Sequence, residues 1–341
     1  MTIERNVSLA DYSTMALGGE AQYKADITSR DDLIEAISFA SANRLKILMV
    51  GGGSNIVWRD EGFKGLLLVN KIRGFEVERE DETGADILVG AGEDWDLVVD
   101  RSVSLGLSGI ECLSLVPGTA GATPVQNVGA YGQEIAETLV SLEAYDTKSK
   151  SFMTMLNRDC DFSYRNSCFK SRPGRYFILS IRLHLKKDIL KPPLYKVLED
   201  YLKDKGLSDT SPKVIRDAVV DIRRRKLPDP KVVKNCGSFF KNPIITKDEF
   251  DKLAKDFKDV SHWEMKSGHE KISAAWLIDQ AGFKDYTDPA SGMATWKGQP
   301  LILVNEHASS TGDLLRFKEK ITIAVKNKFG IELTQEPELL P

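Results

Sequence analysis

Two glycine-rich segments have the residue types that bind a phosphate-bearing cofactor. In the first, three glycines follow an apolar strand candidate and precede two small polar residues: Gly51, Gly52, Gly53, Ser54 and Asn55. Consecutive amides without side chains can approach an anion and form a phosphate nest. The segment does not complete G-x-G-x-x-G, and the chain has no G-x-x-x-x-G-K-[ST] motif. By itself it indicates either a phosphate site or a tight structural turn.

The second segment, residues 117–132, is rich in glycine and proline and cannot form one regular element. It is too long and too poor in charge to be an ordinary solvated loop, and irregular segments of this kind are often functional. Its presence favours a binding role for both glycine-rich segments.

Four polar or charged positions could contribute chemistry, and each also has a structural interpretation. Arg165 lies among small polar and aromatic residues, and Lys226 ends a basic run before Leu-Pro-Asp-Pro. Ser238 stands between a glycine and two phenylalanines, and Glu338 belongs to an acidic carboxyl end. In isolation, a surface ion pair is the favoured explanation of Arg165, a solvated helix end is the simplest one for Lys226, and a solvated acidic tail explains Glu338. A cap would explain Ser238 equally well. No His and Asp spacing supplies a base for Ser238, so a serine hydrolase has little support.

Cysteines and histidines do not form a recognisable metal or disulfide pattern. No C-x-x-C pair occurs, and the histidines do not fall at i, i+4 around a helical Glu. We expect no metal site, scattered surface histidines and buried structural thiols at Cys112, Cys160, Cys168 and Cys236.

Hydrophobic periodicity predicts a mixture of helices and strands around these segments. The predicted helices are 30–43, 94–105, one that begins at Pro212 and is ended by Pro228 and Pro230, 247–257, 274–281 and 311–329. The predicted strands are 45–50, 65–69, 87–92, 139–145, 176–185 and 301–305, and a short apolar stretch follows the first glycine segment at 56–58. The polar stretch 186–193 reads as a loop or boundary.

Composition excludes several classes of protein. The chain has 341 residues and is 42% hydrophobic, which suggests about two or three domains. The formal charge of −3 does not favour nucleic acid as a partner. No secretory signal and no apolar stretch of the ~20 residues that a membrane helix needs is visible, so we expect a soluble cytoplasmic protein without membrane insertion.

Taken in order, six motifs closely resemble the UDP-N-acetylenolpyruvoylglucosamine reductase (UDP-N-acetylmuramate dehydrogenase) family. They are residues 50–55, 117–132, 164–167, 226–230, 237–243 and 336–338. The resemblance implies the FAD-binding fold of vanillyl-alcohol oxidase and p-cresol methylhydroxylase, with a C-terminal α+β substrate domain. The resemblance implies three parts. Residues 1–70 form a first FAD-binding subdomain, residues 71–226 form a second one that the tail 333–341 joins, and residues 227–332 form the substrate-binding domain.

The same resemblance implies bound FAD, NADPH as the hydride donor and UDP-N-acetylglucosamine enolpyruvate as the substrate. This substrate would be reduced to UDP-N-acetylmuramate for peptidoglycan synthesis, with hydride passing from flavin N5 to C3. The implied FAD contacts are Gly51, Gly52, Gly53, Ser54, Asn55, Pro117, Gly118, Thr119, Gly121, Ala122, Thr123, Val125 and Gly129.

Three residues match the family's catalytic positions. By this resemblance, Arg165 and Glu338 would flank the enolpyruvyl group, and Ser238 would donate the proton to C2. The implied substrate contacts are Tyr131, Tyr164, Lys226, Asn242, Gln299 and Tyr195. Residues 190–210 resemble the tyrosine-bearing insertion of the family's longer class, with Tyr195 as the lid tyrosine and Tyr201 as its competitor.

Two departures from the family pattern affect details. Leu340 stands where relatives often carry an Arg, and Gly121-Ala122-Thr123 replaces a loop that commonly has a serine or a second glycine. A flavin oxidase of the same fold and a catalytically silent nucleotide-sugar-binding module are the alternatives. We expect a monomer.

Overall fold

The computed structural model describes residues 1–265 and 267–341. Its helices are α1 (Arg30–Ala42), α2 (Trp95–Ser104), α3 (Cys168–Ser171), α4 (Lys196–Asp204), α5 (Pro212–Lys226), α6 (Lys247–Asp256), α7 (Ala274–Ile278) and α8 (Thr311–Phe329). Its strands are β1 (Ile3–Ser8), β2 (Glu20–Ile27), β3 (Lys46–Val50), β4 (Ile56–Trp58), β5 (Phe63–Asn70), β6 (Phe75–Glu80), β7 (Gly84–Gly90), β8 (Gly129–Ala130), β9 (Gln133–Glu134), β10 (Leu139–Asp146), β11 (Ser151–Leu156), β12 (Tyr176–Lys186), β13 (Asn235–Ser238), β14 (Ile244–Thr246), β15 (His262–Glu264), β16 (His269–Ile272), β17 (Thr287–Asp288), β18 (Met293–Trp296), β19 (Gln299–Asn305) and β20 (Glu338–Leu340).

The chain forms two compact units and passes between them several times. The first unit contains Met1–Val7, Ala21–Gly52 and Phe63–Arg225. The second contains Ser8–Glu20, Gly53–Gly62 and Lys226–Pro341. The division into two FAD-binding parts and one substrate-binding part concerns which ligand each part binds, and it stays a prediction.

The first unit begins with a four-stranded sheet of order β1-β2-β5-β3, in which β5 runs parallel to both β2 and β3. Helix α1 begins because the Ser29 hydroxyl accepts from the amide of Asp32, and acidic residues in its first turn suit the positive helix end. Its apolar face buries Leu33, Ala36 and Ala40 in one core with the sheet. Gly51 and Gly52 directly follow the carboxyl end of strand β3.

A second sheet of the first unit has the order β11-β10-β12-β7-β6 and its pairs are antiparallel. Trp95, Val98 and Val99 of α2 pack with strand residues of β7 and β12 in a single core. The loop between α2 and β10 crosses this core, and buried Ala120 anchors it.

The second unit is built on a sheet of order β13-β19-β18-β17, a smaller sheet of order β14-β16-β15 and the parallel pair β20-β4. Its core joins Phe239 and Phe240 to the apolar face of α8, including Phe317 and Ile321. Removing a buried aromatic ring of this kind typically costs about 3–5 kcal/mol, so this core holds β13 firmly in place.

The mixed α and β fold class is confirmed, and so are the predicted helices and strands apart from small end differences. Regular α7 ends at Ile278 rather than near residue 281. Helix α4 was missed because it lies in a polar stretch that flanks a proline-containing loop. The four cysteines are buried free thiols, as predicted, and burial raises the pKa of Cys160 to about 12. No helix among the described residues is long and apolar enough to cross a membrane.

Candidate active site

The first two glycines form a cradle with the long loop of the first unit. A Cβ atom on Gly51 would overlap Thr119 Oγ1, and one on Gly52 would lie 2.9 Å from the Cα of Gly118. Only glycine therefore permits this approach of the two backbones. The Thr119 hydroxyl is buried and has no hydrogen-bond partner within residues 1–265 and 267–341. A buried polar atom without a partner fits a position that a ligand completes.

The loop that carries Thr119 is tied to the core of the first unit. The amides of Ala120 and Gly121 donate to the carbonyls of Glu93 and Ala91, each at 2.9 Å. The buried Thr123 hydroxyl donates to the Ala120 carbonyl at 2.8 Å. Gly121-Ala122-Thr123 differs from the loop sequence that is common in the resembled family. Its threonine stabilises the turn through this hydrogen bond.

Arg165 lies in a tight hairpin that is bonded to the same loop. Its Nη2 donates to the Gly129 carbonyl at 2.9 Å, and its guanidinium carbon lies 5.3 Å from the centre of the Tyr164 ring. Two further bonds fix the hairpin: Ser167 Oγ donates to the Val125 carbonyl at 2.5 Å, and Asn127 Nδ2 to the Ser163 carbonyl at 3.3 Å.

Sequence reasoning did not single out Asn127 or Ser167 as positioning residues. Asn127 is buried and adopts a left-handed conformation with φ 48°. A polar side chain between glycine-rich neighbours gives no sign that it will be buried, so composition alone could not identify it.

Tyr131 ends the long loop, and Tyr195 rather than Tyr201 lies beside it. The rings of Tyr131 and Tyr195 meet edge to face with centroids 5.8 Å apart. Burial raises the pKa of both phenols. Tyr201 instead donates to Asp221 of α5 at 2.5 Å. Tyr195 is therefore the candidate that lies beside Tyr131, and its assignment as the lid tyrosine stays a prediction.

Ser238 is directed outward by an irregularity in β13. Asn235 pairs with Val304 of β19 whereas Ser238 pairs with Ile302, so one extra residue is accommodated between them. Gly237 has φ 74° in this bulge, a conformation that favours glycine. Bulges commonly redirect a side chain next to an active site. The Ser238 side chain is exposed and its hydroxyl makes no hydrogen bond within the described part of the chain.

Glu338 is brought to the neighbourhood of this segment by the tail of the chain. The Glu336 amide donates to the Phe239 carbonyl at 2.9 Å, and the Glu338 amide donates to the Asn55 carbonyl at 2.9 Å. Strand β20 then runs parallel to β4, with Leu340 opposite Trp58. The second unit therefore joins Ser238, Glu338 and the end of the first glycine motif, although they are far apart in sequence.

Three further predicted substrate residues also lie in the second unit. The indole nitrogen of Trp296 donates to the Lys226 carbonyl at 3.1 Å, and Trp296 pairs with Gln299 across a hairpin. The structure thus brings the backbones of Lys226 and Gln299 together. Asn242 Oδ1 accepts from the amide of Ala274 at 2.9 Å, and its Nδ2 makes no hydrogen bond to the residues that the structure describes.

The predicted residues therefore form two groups by unit. The first unit holds Gly51, Gly52, the residues of 117–129, Tyr131, Tyr164, Arg165 and Tyr195. The second holds Gly53, Ser54, Asn55, Lys226, Ser238, Asn242, Gln299 and Glu338. Their individual catalytic and binding roles stay predictions.

Comparison with known proteins agrees with the motif order. A family model described as an FAD binding domain matches residues 21–151, and one described as UDP-N-acetylenolpyruvoylglucosamine reductase, C-terminal domain, matches residues 229–340. The chain is 38% identical to the UDP-N-acetylenolpyruvoylglucosamine reductase of Ralstonia nicotianae over 99% of both chains. It is 37% identical to that of Dechloromonas aromatica over 100% of both.

A solved structure shows the same fold. The crystal structure of UDP-N-acetylenolpyruvylglucosamine reductase from Thermus caldophilus superposes with a TM-score of 0.68 at 24% identity and covers 100% of both chains. The two curated relatives named above are each more than a third identical to this chain, and the alignments cover 99% and 100% of it. The chain belongs to the UDP-N-acetylenolpyruvoylglucosamine reductase family.

Proposed function

We propose that this protein reduces UDP-N-acetylglucosamine enolpyruvate to UDP-N-acetylmuramate in peptidoglycan synthesis, with bound FAD and with NADPH as the hydride donor. One structural observation carries the proposal. The exposed Ser238 hydroxyl is held at a bulge, on a segment paired to the tail that bears Glu338, in a chain of the reductase family. A cytoplasmic location and a monomeric state remain our expectations.

The glycine cradle fits FAD. Gly51 and Gly52 leave room at the 118–119 turn, and the buried Thr119 hydroxyl lacks a partner among the described residues. We infer that these residues hold the pyrophosphate, together with the remaining loop residues to Gly129 and with Gly53, Ser54 and Asn55. When bound, FAD would accept hydride from NADPH and deliver it to C3 of the enolpyruvyl group.

Arg165 would stabilise the negative charge that develops at substrate C2 and the adjoining carboxylate. A guanidinium held in advance by the Gly129 carbonyl and the Tyr164 ring needs little reorganisation when this charge appears. Lys226, whose side chain is exposed, would bind the diphosphate as a point charge. Asn242 and Gln299 would add hydrogen bonds to the same substrate.

Ser238 would protonate C2. A serine hydroxyl is a weak acid, so the step requires a strongly basic substrate carbon within hydrogen-bond reach. The absence of any bond from this hydroxyl to the described residues supports the role, because the proton is not already committed. Glu338 would assist by a hydrogen bond or as an acid.

The decisive experiment measures NADPH oxidation by the purified flavoprotein with and without UDP-N-acetylglucosamine enolpyruvate. We expect oxidation that depends on this substrate and yields UDP-N-acetylmuramate. Oxidation that needs only oxygen, or another substrate, would instead identify a flavin oxidase of the same fold. A colourless protein that binds the UDP-sugar without turnover would identify a silent binding module.

Replacing the proton donor separates the two half-reactions. We expect Ser238→Ala to keep reduction of bound FAD by NADPH and to lose substrate turnover by roughly 100-fold or more, the usual contribution of a positioned acid. Ser261→Ala, at an exposed serine of the same unit, is the matched control. Stopped-flow flavin absorbance and product formation check both steps, and unchanged product formation in Ser238→Ala would remove the assignment.

A further inference from the structure

Asn235 begins strand β13, three residues before Ser238, and its side chain spans the bulge. Its Nδ2 donates to the Val233 carbonyl at 2.7 Å, and its Oδ1 accepts from the Gly237 amide at 2.9 Å. The residue is almost completely buried, with 3% of its surface exposed. One planar amide therefore joins the residue two positions before it to the residue two positions after it.

The bond to Gly237 shapes the turn that precedes Ser238. An asparagine that accepts from the amide two residues later forms an Asx turn. In a bulge the backbone leaves the regular ladder, so its amides need other acceptors. Asn235 supplies this acceptor to Gly237, whose φ of 74° changes the direction of the chain immediately before Ser238. The direction of the Ser238 side chain thus depends on the Asn235 amide.

The backbone of Asn235 also connects the bulge to the first glycine motif within the second unit. Its amide donates to the Thr14 carbonyl at 3.0 Å, and the Thr14 amide donates to the Gly53 carbonyl at 3.1 Å. A Cβ atom on Gly53 would lie 2.3 Å from the Tyr12 carbonyl oxygen, so the two segments are in close contact. Two successive hydrogen bonds therefore fix the position of Asn235 relative to Gly53, which we assign to FAD.

Asn305, on the neighbouring strand β19, is a buried asparagine with a different task. Its Nδ2 donates to the Met15 carbonyl at 3.2 Å, and its Oδ1 accepts from the Ala308 amide at 2.9 Å. It is 6% exposed, and neither of these bonds involves a residue of the bulge. Both asparagines stabilise the fold through two side-chain bonds. Of the two, it is Asn235 that holds the residue next to Ser238.

We propose that Asn235 is a positioning residue for proton transfer: its side-chain amide fixes the bulge and so holds the Ser238 hydroxyl where protonation of substrate C2 requires it. In that step the O–H bond of Ser238 breaks and a C–H bond forms with the electron pair that hydride addition at C3 leaves on C2. The serine alkoxide then regains a proton from water. The inference rests on the proposed function, since the role of Ser238 as proton donor is part of it.

The test measures the two half-reactions of the holoenzyme in Asn235→Ala and in Asn305→Ala. Both variants lose two buried side-chain bonds, so both should melt at a lower temperature than wild type. We expect Asn235→Ala to be reduced by NADPH at the wild-type rate. Oxidation of its reduced form by UDP-N-acetylglucosamine enolpyruvate should slow about tenfold, because a small misplacement of a reacting group has an effect of this order.

The solvent deuterium isotope effect separates positioning from stability. In Asn235→Ala this effect on the oxidation step should rise above its wild-type value, since proton transfer then limits the rate. Asn305→Ala should retain both rates and the wild-type isotope effect. Asn235→Ser should recover part of the lost rate, because a hydroxyl can accept from the amide two residues later, although more weakly. The serine variant carries the test if Asn235→Ala does not fold.

A second measurement is independent of turnover. Hydrogen exchange of peptides spanning residues 236–240 should be faster in Asn235→Ala than in wild type, because the Gly237 amide has lost its acceptor, and unchanged in Asn305→Ala. Unchanged exchange in Asn235→Ala, an unchanged isotope effect, or an equal slowing in Asn305→Ala would each overturn the proposal. If wild type shows no substrate-dependent NADPH oxidation, the proposed function fails instead, and exchange alone decides whether Asn235 fixes the bulge.

Discussion

The hydroxyl oxygen of Thr119 is a single atom whose surroundings indicate a binding role. Its hydroxyl is buried and makes no hydrogen bond to the described residues, and it points at the position that a side chain on Gly51 would occupy. A buried hydroxyl without a partner costs about 1–3 kcal/mol in an empty site. The same hydroxyl can form a hydrogen bond when a phosphate oxygen fills the cradle.

Thr119→Val should therefore have opposite effects in the two forms of the protein. Without FAD, we expect the variant to be as stable as wild type or up to about 1 kcal/mol more stable, because the unsatisfied group is gone. With FAD, we expect the dissociation constant of FAD to rise about fivefold to tenfold. Thermal unfolding of the apoprotein and flavin fluorescence titration measure the two quantities.

The matched control for this prediction is Thr147→Val. Thr147 lies on a turn of the same unit and its hydroxyl already donates to a backbone carbonyl at 3.0 Å. This change should not alter FAD binding. An unchanged FAD dissociation constant in Thr119→Val would show that the hydroxyl does not contact the cofactor.

At the scale of elements, Arg216 joins α5 to α2 through Asp96. The same carboxylate accepts from the Leu115 amide at 2.7 Å, so it also anchors the start of the long loop. Burial acts to raise the pKa of Asp96, but the hydrogen bonds from Arg216 and Leu115 outweigh it, and this pKa lies below its ordinary value. The ionised form is therefore the one that the folded protein stabilises.

The sign of the pH dependence follows from that shift. A lowered folded-state pKa contributes stability above the unfolded pKa of about 3.9, and the contribution is lost as the pH falls through the folded value. Asp96→Asn should reduce the free energy of unfolding by about 2 kcal/mol at neutral pH, with a smaller difference from wild type below about pH 4.

Urea unfolding of the two proteins at several pH values checks this prediction. Asp100→Asn is the control, because its side chain is 57% exposed and accepts a single bond from Arg216. Its effect should be smaller at every pH, since solvent screens exposed pairs. A constant difference between Asp96→Asn and wild type down to acid pH would contradict the lowered pKa.

The two candidate lid tyrosines occupy different positions relative to helix α4. Tyr195 precedes the helix and contacts Tyr131, whereas Tyr201 lies within it and is bonded to Asp221 of α5. We expect Tyr195→Ala to raise KM for the UDP-sugar about tenfold, because a substrate contact is lost.

Tyr201→Phe is the informative comparison for this prediction. It should leave KM nearly unchanged and lower the free energy of unfolding only slightly, because solvent screens the exposed bond to Asp221. Steady-state kinetics and urea unfolding of both variants give the four quantities. The reverse pattern would make Tyr201 the lid residue.

For the whole molecule, the formal charge of −3 leaves little net field to attract a diphosphate. Individual cations near the binding site must therefore attract the diphosphate of the substrate. Lys226 is the cation that we assign to this role. Salt shortens the Debye length from about 10 Å at 0.1 M to about 3 Å at 1 M, so an exposed lysine is strongly screened.

Lys226→Met should raise KM for UDP-N-acetylglucosamine enolpyruvate about tenfold and make it less sensitive to salt than in wild type. Lys231→Met, at an exposed lysine that follows in the next loop, should retain the wild-type KM and salt dependence. Initial rates over a range of sodium chloride concentrations test this. Parallel salt dependences in wild type and Lys226→Met would exclude a diphosphate contact.

Local patterns were sufficient for six of the eight helices, for the longer central strands and for the motifs, but not for strands such as β1, β2, β6 and β11. Helix α1 could be predicted from Ser29 and the apolar spacing that follows it, since caps and periodicity depend on near neighbours. The order of the six motifs was also enough for the family, and the identity to full-length relatives confirmed it. Helix α4 could not be predicted, because its stability comes from packing Leu198 and Leu202 on α5.

The sequence by itself determined the strongly periodic helices and strands, the glycine segments and the identity of the candidate residues, because these depend on residue type and short spacing. Only the tertiary structure decided which of them meet. It paired the Glu338 backbone with Asn55, directed Ser238 outward at a bulge and placed the Tyr195 ring beside Tyr131. Strand register and burial create these contacts between distant segments, and neither is encoded by the neighbours of a single residue.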